Sequence, residues 1–185
     1  MNDLELWHKV QSGSEEAFQQ LFYRHHPDLV NRAYHYLRDE ESAKDLAQDL
    51  FVKLWHQRQD LQIKDSLKAY LHRAVRNKCI NHLQKKKHLA IDDQTEHEDS
   101  APSAQQQLQS IDLEQMVQSA ISKMPEACRT IFILRRMDEL SLKEIAKELR
   151  ISPKTVENQL TKARKILAQY LKPLLHLVWI LLFTR

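Results

Sequence analysis

Ser152, Lys154, Thr155, Glu157, Asn158, Gln159, Lys162, Arg164 and Lys165 fall within one stretch, SPKTVENQLTKARK, and all are side chains that hydrogen-bond or pair rather than react. The amides of Asn158 and Gln159 suit the edge of adenine, and the guanidinium of Arg164 suits guanine or a phosphate. Lysines at this density make the phosphate contacts that fix register without carrying sequence information. The chemistry expected is recognition of DNA, and it needs a helix to hold these groups in line. Ser152 is a good N-cap and Pro153 a good first helical residue, so a helix should start there, with Val156 and Leu160 turned inward. Upstream, Leu142, Ile145, Ala146 and Leu149 give a shorter helix one apolar face, with the small Ala146 where the two helices would cross. The pair is a helix-turn-helix pattern. The plainer reading is an ordinary helical hairpin with a solvated basic face; the agreement of cap, proline, small crossing residue and basic outer face favours the helix-turn-helix over it. Arg150 occupies the turn position where glycine is usual, and a left-handed backbone there costs an arginine on the order of 1 kcal/mol.

Nothing in the chain points to catalysis. His25, His26, His35, His72, His82, His88 and His97 have neither zinc-ligand spacing with cysteines nor an HExxH arrangement, so surface or core roles are expected and no metal or cofactor. Cys79 and Cys128 sit inside helical patterns without a CxxC spacing, which fits a reduced cytoplasmic setting. A phosphate-cradling loop needs several glycines, and the sequence holds one, Gly13.

That single glycine also bounds the fold. Average usage in 185 residues would give roughly a dozen. Sheets depend on glycine-rich turns, so an all-α fold is expected. The net charge is only +3 but is unevenly spread. Between Ser66 and Ala90 stand Lys68, Arg73, Arg76, Lys78, Lys85, Lys86 and Lys87 with no acid; between Leu89 and Ser122 stand seven acids with no Lys or Arg. The basic block favours a polyanionic partner. Helical periodicity is clearest in AKDLAQDLFVKLW, where Ala43, Leu46, Ala47, Leu50, Phe51, Leu54 and Trp55 share a face and Lys44, Asp45, Gln48, Asp49 and Lys53 are left outside. Ser12 and Glu15 suggest a capping box before the next helix, and Pro27 should break or kink it. About four helices are read between Asp3 and Lys87. The stretch from Asp92 to Ser110 lacks periodicity and reads as an acidic linker. Periodicity resumes at Ile111. The expected organisation is therefore a domain over 1–90, a linker over 91–110, a second domain over 111–172 and an apolar tail over 173–185. As a helix, the apolar run Leu174 to Phe183 would reach about 15 Å, half a bilayer core. No signal peptide is read at the N-terminus.

Taken in order, GSEEAFQQLFYRHHPDLVNRAYHYLRDEESAKDLAQDLFVKLW, SLKAYLHRAVRNKCINHL and ISKMPEACRTIFILRRMDELSLKEIAKELRISPKTVENQLTKARKIL resemble the bacterial sigma-70 family, in its extracytoplasmic-function group. The resemblance implies a region 2-like four-helix domain followed by a region 4-like helix-turn-helix domain. It implies a non-enzymatic subunit that binds core RNA polymerase through the beta-prime clamp helices and the beta flap and has no small-molecule substrate. Asp45, Gln48, Asp49 and Lys53 would dock on polymerase. Arg73, Arg76, Asn77, Lys78, Asn81, Lys85 and Lys86 would hold and help open minus-10 promoter DNA, a step whose unstacking cost is offset by capture of an extruded base. Asn81 and Gln84 depart from an acid and an arginine common in the family. Ser152 and the polar residues after it would read the minus-35 element. An anti-sigma factor is an implied partner, with sequestration near a membrane as a consequence, and the tail offers a surface for a further recruiting protein. Folding back on a domain is as good a reading, and contact with a membrane surface a lesser one. The linker reads either as a solubilising tether or as an acidic thread toward the polymerase cleft. Two other functions fit the residues: a polymerase-independent helix-turn-helix regulator, and a decoy that binds an anti-sigma factor without DNA.

Overall fold

The computed structural model describes residues 1–63, 66–92 and 113–183, with side chains over 1–63, 66–85 and 116–172. All eight elements are helices and no strand occurs among the described residues, which is the all-α class expected. The chain divides into two compact units, Met1–Glu96 and His97–Arg185. The stretch expected as a linker lies, apart from its first two residues, outside the described residues.

In the first unit, α1 (Asp3–Gln11) begins with a capping box: the Glu5 N–H donates to Asn2 Oδ1 at 2.8 Å, and the Asn2 N–H donates to Glu5 Oε2 at 3.0 Å. Gly13 turns the chain with φ +95°, a region costly for any residue with a Cβ. The cap of α2 (Glu15–Leu37) is Ser14, which accepts from Ala17 N–H, and not the Ser12–Glu15 box expected from the sequence. Ser12 instead ends α1, because its N–H bonds back to His8. Of the break or kink expected at Pro27, the break does not occur, since α2 runs through it to Leu37. Burial of Leu21, His25, Leu29, Ala33 and Tyr36 at near-fourfold spacing holds both halves in register. Pro27 has no N–H to give the Tyr23 carbonyl one turn earlier, and Tyr23 is 68% exposed. Arg38, in left-handed backbone (φ 56°), closes α2, and Asp39 caps α3 (Glu40–His56). α4 (Leu67–Asp92) completes the four helices read between Asp3 and Lys87. Each of α1, α3 and α4 packs on α2.

The core of this unit is large and aromatic. Trp7, Tyr36 and Phe51 are buried among Leu6, Leu21, Leu29, Leu54, Leu67 and Leu71, each burial contributing about 1.5–3 kcal/mol for a leucine-sized side chain. Phe22 packs edge-on against Phe51 at 4.9 Å, and Phe18 lies 5.0 Å from Trp55. Burial first, then the charges of Arg38 and Arg32, lower the pKa of the buried His35 from 6.5.

The second unit contains α5 (Leu113–Ser122), α6 (Glu126–Arg136), α7 (Leu142–Leu149) and α8 (Pro153–Phe183). Its core is small and mostly aliphatic: Ile121, Met124, Cys128, Ile131, Ile133 and Leu134 meet Ile145, Ala146, Val156, Leu160 and Ala163. α8 continues as helix through the tail to Phe183, so the fates considered for the tail concern side chains outside those described. Among the described residues, no helix is long and apolar enough to cross a membrane.

Candidate nucleic-acid and protein-docking surfaces

The turn before α8 is built by local rules. α7 opens with a second capping box, Ser141 with Glu144, and closes at Arg150, whose φ 54° and ψ 44° are the left-handed values the glycine-less turn required. The Ile151 N–H then reaches back to the Ala146 carbonyl at 3.0 Å, satisfying an end-of-helix acceptor. Ser152 accepts from Thr155 N–H at 3.0 Å and starts α8. Val156, Leu160 and Ala163 bury one face; Ile145 and Ala146 of α7 are buried with them, and Cys128 of α6 donates to the Gln159 carbonyl at 3.4 Å. Burial raises the pKa of that thiol, with the Lys162 charge opposing.

With 3.6 residues per turn, the line opposite the buried face carries Lys154, Asn158, Thr161 and Lys165, all exposed. Thr155 and Lys162 flank it on one side, Glu157 and Arg164 on the other. Ser152, Lys154, Thr155, Glu157, Asn158, Lys162, Arg164 and Lys165 are exposed, and Gln159 is half-buried. The set therefore forms one band with Arg164 and Lys162 on opposite edges. Within it, Lys154 donates to Glu157 at 3.2 Å. Thr161, whose hydroxyl donates to the Glu157 carbonyl at 2.9 Å, lies on the outermost line and was not singled out from the sequence; its spacing three residues from Asn158 was the available signal.

In the first unit, α3 buries Ala43, Leu46, Ala47, Leu50, Phe51 and Leu54 and leaves Asp45, Gln48, Asp49 and Lys53 exposed. The sequence reading missed Val52, which is 51% exposed in the middle of that face; an apolar residue seven on from Asp45 was the clue. Lys44 and Gln48 border a cleft of about 600 Å³ against His26, Val30 and Tyr34 of α2. Lys44 pairs with Glu40 at 2.6 Å, and that hydrogen bond raises its pKa.

On α4, Leu67, Leu71, Val75, Cys79, Ile80 and Leu83 are buried, so Arg73, Asn77, Asn81 and Lys85 form the outward line. Arg76 and Lys78 are half-buried and lie off it on opposite flanks; the Lys86 side chain is outside those described. Lys78 turns to α3 and meets Asp49 Oδ2 at 3.5 Å. Away from that edge, His72 Nε2 meets Asp28 Oδ2 at 2.6 Å, tying α4 to α2. Burial alone would raise the Asp28 pKa; the His72 bond and the charges of His72, Lys68 and Arg32 outweigh it and lower the value. The loop into α4 is tied to α1 by Gln11, which donates to the Leu61 carbonyl at 3.1 Å. At its start Arg58 lies 4.1 Å over the Trp55 ring. Among the described residues no group of three or more His, Cys, Asp or Glu could hold a metal.

The described residues are helical, with a helix-turn-helix in the second unit and a cationic helix in the first, and comparison with known proteins gives the class. Residues 21–89 match the family profile Sigma-70 region 2, and residues 114–167 match Sigma-70, region 4. The RNA polymerase sigma-H factor of Pseudomonas aeruginosa is 25% identical, covering 94% of this chain and 95% of that protein. The ECF RNA polymerase sigma factor SigW of Bacillus subtilis is 26% identical over 90% and 95% of the two chains. A solved structure of CnrH in complex with the cytosolic domain of CnrY aligns with TM-score 0.51 at 25% identity, over 92% of this chain and 97% of that one. RpoE of Bartonella quintana, solved with the anti-sigma factor NepR, shares the fold at TM-score 0.55 and 24% identity, over 84% and 96%. The chain belongs to the sigma-70 family, in the extracytoplasmic-function group, and is a sigma factor; sigma factors are not enzymes.

Proposed function

We propose that this sigma factor docks on core RNA polymerase with the exposed face of α3, holds melted minus-10 DNA along α4, and reads minus-35 duplex with the band on α8. The observation that carries the reading is the adjacency of two differently built polar faces in the unit that matches region 2. On α3 an exposed valine sits among mixed charges, the composition of a protein-docking surface. On α4 a line of arginine, lysine and asparagine has no acid of its own, the composition of a surface that tracks phosphates and bases. In this reading the docking partners are the clamp helices and the flap of polymerase, as the family resemblance implies, and the domains span 1–90 and 111–172. The protein would then work in the cytoplasm. CnrH was solved with the cytosolic domain of CnrY, which supports a protein partner here too, and the family resemblance makes an anti-sigma factor the kind of partner proposed.

The test is transcription in vitro from a library of promoter fragments with purified core polymerase. Specific starts should require the protein, should vanish on reversing Asp49 or enlarging Gln48, and should weaken about uniformly when Lys154 or Lys162 is neutralised. Binding to core without specific starts would favour the decoy. Specific duplex binding without any binding to core would favour the independent regulator.

A further inference from the structure

We propose that Thr161 is a specificity-determining residue of the α8 band and that its methyl group, not its hydroxyl, is the end that reads: it packs on the C5-methyl of a thymine in the duplex. The inference rests on the role given above to α8 in minus-35 recognition, and it names what one further member of the band recognises.

Thr161 is exposed and lies on the outermost line of α8 with Lys154, Asn158 and Lys165. Side chains on this line stand opposite the buried Val156, Leu160 and Ala163, so a groove laid along α8 meets them first. In such a place a threonine ordinarily offers its hydroxyl to a phosphate or a base edge. Here the proton of that hydroxyl is already engaged, because Oγ1 donates to the Glu157 carbonyl at 2.9 Å. The oxygen keeps lone pairs, but a phosphate has no proton to give them. Holding Oγ1 against the preceding turn fixes the χ1 angle of this β-branched side chain and leaves the methyl as its free end.

The other hydroxyls of the band are engaged locally as well. Those of Ser152 and Thr155 share a hydrogen bond at 2.9 Å, and Ser152 also accepts from the Thr155 N–H. They build the start of the helix, and Thr155 stands roughly 100° round the axis from Lys154. Thr161 is thus an apolar tip on a polar line, with the Asn158 amide one turn before it and the Lys165 ammonium one turn after. The apolar feature of the major groove is the thymine methyl, which the other three bases lack. Asn158 precedes Thr161 by about 4.5 Å along the axis, against about 3.4 Å per base step. An amide on adenine and a methyl on thymine therefore fall on the same base pair or on neighbouring ones.

The experiment retains duplexes from a randomised library on the full chain, alone and with core polymerase. Each thymine of the retained element is then replaced, one at a time, by deoxyuridine, which removes only the C5-methyl. With the wild-type chain, one such replacement should weaken binding about fourfold, the effect of losing one methyl-sized apolar contact. Thr161→Ser keeps the hydroxyl and loses the methyl, so it should bind thymine and deoxyuridine duplexes alike, as wild type binds deoxyuridine. Thr161→Val loses the hydroxyl and keeps a methyl, so the fourfold difference should remain.

A difference that survives Thr161→Ser places the methyl contact on another residue and overturns the proposal. Its loss in Thr161→Val makes the hydroxyl the contact and does the same. If a specific element is retained and Asn158→Ala relaxes it while no deoxyuridine replacement affects wild type, only the inference about Thr161 fails. If no specific duplex is retained in either condition, the minus-35 role of α8 and the inference fail together.

Discussion

The two units reach their candidate surfaces by different means. In α5–α8 the surface is one helix, and nearly everything that aims it is local: a serine cap, a proline at the first position, a left-handed arginine before it and three buried residues beneath. In α1–α4 the surface is shared by two helices, and what aims it is a core of Trp7, Tyr36 and Phe51 with leucines from all four helices. A surface on one helix can be specified by its neighbours in sequence. A surface split between helices depends on packing between residues far apart in the chain.

The largest effects should separate the units by where they are damaged. Phe51→Ala, at the junction of α2 and α3, should cost about 3–5 kcal/mol in denaturant unfolding, and Ile145→Ala, beneath α8, about 2–5 kcal/mol. Hydrogen exchange should rise in α2–α4 for the first and in α7–α8 for the second; loss of protection across both units from either change would break the comparison. Next in size, Ser152→Ala should cost about 1 kcal/mol and raise exchange in the first turn of α8, with minus-35 affinity falling more than core binding. Smaller still, Arg38→Gly and Arg150→Gly replace left-handed arginines in the two units, and each should stabilise by up to about 1 kcal/mol in denaturant unfolding, because glycine relieves the Cβ clash at some cost in chain entropy.

The most gradual contrast is acid sensitivity. His26 and His35, both in the first unit, have pKa values lowered from 6.5, His26 by burial and His35 by burial and then by Arg38 and Arg32. No histidine occurs among the described side chains of the second unit. The unfolded chain therefore binds protons that the folded first unit refuses. Stability is full above pH 6.5 and falls as pH drops from there toward the lowered folded values. Replacing His35 by leucine should flatten this slope in pH-dependent unfolding, and an equal slope in α5–α8 would refute the assignment.

The same contrast explains what was legible in the sequence. Ser152, Pro153 and the left-handed backbone of Arg150 were read correctly because caps and turns are short-range chemistry. The buried face of α3 followed from periodicity alone. At Pro27 local propensity allowed a break or a kink; the break is absent, because five buried positions along α2 hold the helix continuous. Ser12 misled because a serine two residues on, after the glycine turn, took the cap. Val52 was passed over because its exposure depends on which side of α3 the neighbouring helices cover. The Lys78–Asp49 contact joins residues 29 apart in number, and no spacing rule reaches that far.

The tryptophans of the first unit carry a spectroscopic consequence. Trp7 is fully buried, whereas Trp55 lies half-buried in the last turn of α3, tilted against Phe18 and roofed by Arg58, whose Nη1 also donates to the Trp55 carbonyl at 2.7 Å. Once Trp179 is replaced by phenylalanine, two emitters remain: one senses only whether the unit is folded, the other stands where the α3 face gives way to the loop. Their separate responses make the unlabelled protein an optical gauge that distinguishes unfolding from occupancy.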